Sequence, residues 1–80
     1  MNQRLTCDDV RELITRHLPG ASVEVRDLTG TSDHFDVAVT AETFRDKSLI
    51  EQHRLVHAAV RDYLGDGRPI HALQIKTVAA

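Results

Sequence analysis

Ser48-Leu-Ile-Glu-Gln-His-Arg-Leu-Val-His-Ala-Ala-Val-Arg-Asp-Tyr-Leu64 decides how this chain folds. Ser48 followed at the third position by Glu51 is a capping box, which opens a long helix running to about Leu64. Leu49, Val56, Val60 and Tyr63 are spaced to face a core, with Ile50, Ala59 and Leu64 flanking them. Arg54, Arg61 and Asp62 fall on the outward side. A helix lying between two strand-like segments makes a crossover, so the strand after it is expected to run parallel to the strand before it, through a right-handed connection.

Both flanking segments read as strands. Upstream, Phe35-Asp-Val-Ala-Val39 alternates, placing Phe35, Val37 and Val39 inward. Thr40–Phe44 then reads as a short helical turn. Downstream, Gly65-Asp-Gly-Arg-Pro69 stops the helix. Ile70 to Val78 is the closing strand, with Leu73 and Ile75 on one face and His71 sharing their parity. Before Phe35, Ser22-Val-Glu-Val-Arg26 alternates as well, and the turn-rich Leu28–His34 loop makes the two strands an antiparallel hairpin. The first element is a helix capped by Thr6 and Asp9, with an apolar stripe of Val10, Leu13, Ile14 and Leu18, ended by Pro19-Gly20. The expected architecture is therefore α+β in the order α–β–β–α–α–β, a three-stranded mixed sheet with its helices on one face.

Eighty residues make a single domain, 1–80, whose core is thin. Net charge is −2, with both signs interspersed, which argues against tight non-specific binding to nucleic acid. No apolar run approaches a membrane span, and the first ten residues lack the apolar stretch of a secretory signal. With one cysteine, Cys7, an internal disulfide and an all-cysteine metal site are excluded, and a reducing, cytoplasmic compartment is the natural expectation. No nucleophile triad, paired-carboxylate motif or phosphate-cradling glycine loop is recognisable, so a binding function is expected rather than an enzyme. Five histidines in 80 residues are the most suggestive feature of the composition.

Phe44-Arg-Asp-Lys-Ser-Leu-Ile-Glu-Gln-His-Arg-Leu-Val56 resembles the signature of the BolA-like family: Phe, any residue, Gly, Lys or Met, Ser, Leu, then a His-Arg pair and Val within one helix. Ile70-His-Ala-Leu73 with Ile75-Lys-Thr77 is similar to the family's final strand, and Gly30–Val39 to its entry into the second strand. The resemblance spans nearly the whole chain in the same element order. It implies a KH-like fold of the second topological class. It also implies partnership with a monothiol glutaredoxin through a [2Fe-2S] cluster shared with that protein and its glutathione, formed only in the complex, the isolated chain carrying no cofactor. One position departs from the pattern: Asp46 stands where the signature has glycine. Aspartate tolerates a left-handed backbone better than most residues, so the turn is expected to survive with a more acidic surface.

By the same resemblance, His71 matches the family's C-terminal cluster-ligating histidine. A neutral imidazole nitrogen with an open approach is what such a ligand requires. Ordinary burial statistics alone favour a half-buried histidine bonded to backbone. His34 is the one His or Cys in the loop between the first two strands, and the resemblance implies that this segment supplies the other ligand, as in some heterodimers of the family. A strand residue hydrogen-bonded to Asp33 or Ser32 is the competing reading. His53 and His57 stand four apart on one helix, but no third ligand lies nearby in sequence. His17 complements the dipole at the end of the first helix. Cys7, at a helix N-terminus, has no resolving partner.

The alternative reading is a nucleic-acid-binding transcriptional regulator. KH domains grip the backbone with a GxxG loop between two helices. The corresponding turn, Phe44-Arg-Asp-Lys-Ser48, has no glycine, although Arg45, Lys47 and Arg54 offer a modest basic surface for weak DNA binding or a partner. Whether the chain is a monomer or a homodimer is open at this stage.

Overall fold

A computed structural model describes residues 5–28, 30, 33–65 and 67–80. Helix α1 spans Cys7–His17, strand β1 Ser22–Asp27, strand β2 His34–Ala41, helix α2 Leu49–Val60 and strand β3 Ala72–Ala79. Single 3-10 turns, Glu42–Phe44 and Arg61–Tyr63, follow β2 and α2.

Local sequence sets the helix starts. Thr6 accepts from the main-chain N–H of Asp9 at 3.1 Å while the Asp9 carboxylate accepts from the N–H of Thr6 at 2.9 Å. Ser48 and Glu51 repeat the exchange at 3.2 and 3.1 Å. Each box satisfies two N–H groups that a helix start otherwise leaves without partners.

The sheet has the order β1-β2-β3. β1 pairs antiparallel with β2, from Ser22↔Thr40 to Asp27↔Phe35. β2 pairs parallel with β3, from His34↔Ala72 to Ala41↔Ala79. The mixed sheet expected from the crossover is present. α1 lies against β1 and α2, and α2 against β3. Phe35, Val37 and Val39 of β2 are buried among Val10 and Ile14 of α1, Val56 and Val60 of α2, Phe44 and Ile70. Val23, Val25, Leu73 and Ile75 pack on the edge of this cluster, whereas Glu24, Arg26, Gln74 and Lys76 are exposed. That alternation places the helices on one face of the sheet.

The structure corrects several details. The fourth element of the expected order is only the 3-10 turn Glu42–Phe44, because β2 continues through Thr40 and Ala41 to pair with β3. There are thus two α-helices among the described residues. α2 stops at Val60 rather than Leu64, and the next three residues tighten into a 3-10 turn. Leu64 and Ile70 form an isolated parallel bridge, so the closing strand begins at Ala72, two residues later than expected. Leu49 is 62% exposed and Ile50 64%, against the expectation that both serve the core. Leu49 shares the stripe of Val56, but one turn closer to the core Gln52 turns its amide to polar partners instead. It donates to the carbonyls of Phe44 at 3.2 Å and Lys47 at 3.0 Å and accepts from Thr77 Oγ1 at 2.5 Å. The first turn of α2 therefore rides on hydrogen bonds and leaves its leucine outside.

Asp46 has φ 65°, the left-handed region, the one non-glycine residue with positive φ among those described. The turn that a signature glycine would make is kept by an aspartate, as its tolerance of this conformation suggests.

Candidate metal-ligand site at the paired strand entries

The parallel register sets the site. His34 opens β2 and pairs with Ala72, so His71, one residue earlier, stands beside it at the same end of the sheet. Their ring centroids are 6.1 Å apart and the rings stand at 80° to one another. The side chains are 40% and 53% exposed respectively. Thirty-six residues lie between the two histidines in sequence, and the tertiary fold brings them together.

Asp33 lies between them. Its main-chain carbonyl accepts the N–H of His71 at 2.8 Å and that of Ala72 at 3.2 Å, tying the loop before β2 to the entry of β3. Its carboxylate meets His34 Nδ1 at 2.8 Å through Oδ1 and faces His71 Nδ1 at 3.5 Å through Oδ2. The first distance is a hydrogen bond; the second is an ion-pair distance, too long for a strong one. Asp33 is one of the two partners that sequence allowed for His34, and Ser32, the other, lies outside the described residues. The bond occupies one ring nitrogen and leaves Nε2 of each ring without a hydrogen bond among the described residues.

The other singled-out residues are dispersed. His17 closes α1. His53 is half-buried and His57 exposed on α2. No group of three His, Cys, Asp or Glu side chains suited to hold a metal exists among the described residues. Cys7 is half-buried and packs against the core. Arg45 donates Nε–H to the carbonyl of Ala80 at 2.5 Å, which engages it within the chain. Lys47 and Arg54 are exposed. A shallow cavity of about 310 Å³ on α2 is lined by Arg54, His57, Ala58, Arg61 and Leu64 and includes neither histidine of the pair. No helix among the described residues is long and apolar enough to cross a membrane.

The model of the BolA-like protein family matches residues 5–80. The chain belongs to the BolA-like family. Among curated relatives, a BolA-like protein of Dictyostelium discoideum is 35% identical over 75 residues, covering 85% of this chain and 65% of that protein. Protein BOLA2 of Arabidopsis thaliana is 37% identical over 73 residues, covering 90% of this chain and 75% of the relative. Among solved structures, a bolA homologue from Coxiella burnetii superposes with a TM-score of 0.76 at 28% identity, covering 94% of this chain and 91% of that one. This BolA-like chain, with two α-helices on a three-stranded mixed sheet among the described residues, shares its fold with that structure.

Two features of this BolA-like chain were not read from sequence, one in the site and one outside it. The Asp33 carbonyl clasp escaped because it depends on the parallel register. Gln52 escaped because a glutamine inside a helix has no pattern that marks a half-buried polar anchor. Its place one turn before Val56 on the core stripe was the available signal.

Proposed function

We propose that this BolA-like chain is a non-enzymatic accessory protein in iron–sulfur cluster assembly, trafficking or iron regulation. It docks on a monothiol glutaredoxin and co-ligates a [2Fe-2S] cluster, the cargo, through His71 and His34. The observation that carries the reading is the pair of half-exposed imidazoles 6.1 Å apart at the two strand entries.

The pair fits its task. Two imidazoles bound through one nitrogen each to a tetrahedral metal at ~2.1 Å would have centroids about 5 Å apart. The observed spacing of 6.1 Å lies about 1 Å from that. Two imidazole nitrogens would fill half of the four terminal positions of a [2Fe-2S] cluster, and the glutaredoxin cysteine and glutathione would fill the other half. Neutral imidazoles in place of two thiolates raise a cluster's reduction potential, as in Rieske centres. His34 and His71 therefore bind and tune, and the chain supplies no nucleophile or general acid to the exchange.

The test is co-expression with a monothiol glutaredoxin. The visible absorption and CD spectra should differ from those of the glutaredoxin homodimer, and His71→Ala should abolish the difference. Spectra unchanged by that substitution, in a chain that still folds and docks, would overturn the ligand role of His71.

The nucleic-acid reading, which rests on the expected KH-like topology, has less support. With Arg45 engaged at Ala80, Lys47 and Arg54 remain from the basic surface, and two phosphate contacts give little affinity at moderate salt. A titration with labelled duplex and single strand at two salt concentrations separates the readings.

A further inference from the structure

We propose that Asp33 is the positioning residue of the histidine pair, an assignment that rests on reading the pair as ligands. Its carbonyl fixes the distance between the two strand entries, and its carboxylate selects the ring tautomer that leaves Nε2 of His34 as the donor to metal.

The main-chain part joins the two halves of the site. One carbonyl takes the N–H groups of both His71 and Ala72, at 2.8 and 3.2 Å, immediately before the paired register begins at His34↔Ala72. Asp33 thereby ties His71, from a distant part of the chain, to its own neighbour His34.

The carboxylate does the chemical part. An ionised carboxylate only accepts hydrogen bonds, so the contact of 2.8 Å requires His34 Nδ1 to carry the proton. Nε2 is then the nitrogen with a free lone pair, the form that ligates metal. Metal-binding histidines are commonly held this way by a carboxylate behind the ring, which also raises their basicity as ligands. His71 Nδ1, 3.5 Å from the second oxygen of the same group, feels the same bias more weakly. Free histidine in water prefers the opposite tautomer, with the proton on Nε2, so the effect of Asp33 has a direct signature.

The experiment uses the metal-free full chain with ¹⁵N-labelled histidines. Long-range ¹H–¹⁵N spectra are recorded in alkaline buffer, where imidazole is neutral. Wild-type His34 is expected chiefly as the Nδ1–H tautomer. In Asp33→Ala its Nδ1–H to Nε2–H ratio should fall at least about tenfold, the ratio a charge-assisted hydrogen bond sustains. His71 should shift in the same direction by less, and His53 and His57 should not move. Asp33→Asn, whose amide oxygen still accepts, should retain much of the wild-type ratio. A wild-type His34 that is mainly Nε2–H, or a ratio unmoved by Asp33→Ala in a chain with a folded amide spectrum, would overturn the assignment. Should Asp33→Ala fail to fold, the wild-type tautomer decides alone, and a mainly Nε2–H His34 overturns the assignment. No metal or glutaredoxin enters this measurement, so its failure is distinct from failure of the cluster reading, which the co-expression spectra report.

Discussion

Gln52 accepts a hydrogen bond from Thr77 Oγ1 at 2.5 Å while its amide nitrogen holds the carbonyls of Phe44 and Lys47. One side chain thus fastens the turn before α2, the helix itself and β3. Replacing it with leucine leaves a hydroxyl and two carbonyls to find other partners at a half-buried position. Gln52→Leu should cost about 1–3 kcal/mol of folding stability, measured by chemical denaturation. Thr77→Val on that background should cost less than it does in the wild type, because the two groups share one bond. Additive costs would show that the bond contributes nothing to stability.

The left-handed turn at Asp46 gives a backbone test. Asp46→Val forces a β-branched residue to φ 65° and should cost roughly 1–3 kcal/mol. Asp46→Gly removes the strain but adds freedom to the unfolded chain, so it should lie within about 1 kcal/mol of the wild type. A valine variant as stable as the glycine one would show that the turn adopts another conformation in solution.

Glu51 offers a pH test. The main-chain N–H and hydroxyl of Ser48 hold the Glu51 carboxyl below its usual 4.5, with Lys47 and Arg54 adding to the effect. A depressed acid binds fewer protons folded than unfolded, so its contribution is present above the unfolded value and is lost as pH falls through the folded one. Ser48→Ala should raise the Glu51 titration midpoint toward 4.5, followed by carboxyl carbon NMR, and should flatten the decline of stability in acid. An unmoved midpoint would remove the Ser48 hydroxyl as a cause and leave its main-chain N–H.

The two ends of the α2 stripe should respond unequally. Val56 is fully buried, and Val56→Ala should cost about 2 kcal/mol from lost methyl groups and the cavity left behind. Leu49, 62% exposed, should lose less than about 0.5 kcal/mol on change to serine. Thermal melts of the two variants compare them directly, and a larger loss at Leu49 would contradict its placement outside the core.

The sequence by itself determined the elements. The capping boxes at Thr6 and Ser48, the alternation of β1 and β2 and the crossover through α2 are read from neighbours within a few residues, because the forces that set them are local. Those same forces allow aspartate at a left-handed turn, and Asp46 was legible for that reason. The signature beginning at Phe44 gave the family on the same local terms. Only the tertiary structure decided that Leu49 faces solvent, that Arg45 is held by the Ala80 carbonyl and that Asp33 stands between His34 and His71. Each depends on residues distant in sequence that the packed core brings together. Such packing is set by the whole core, which no short stretch of chain contains.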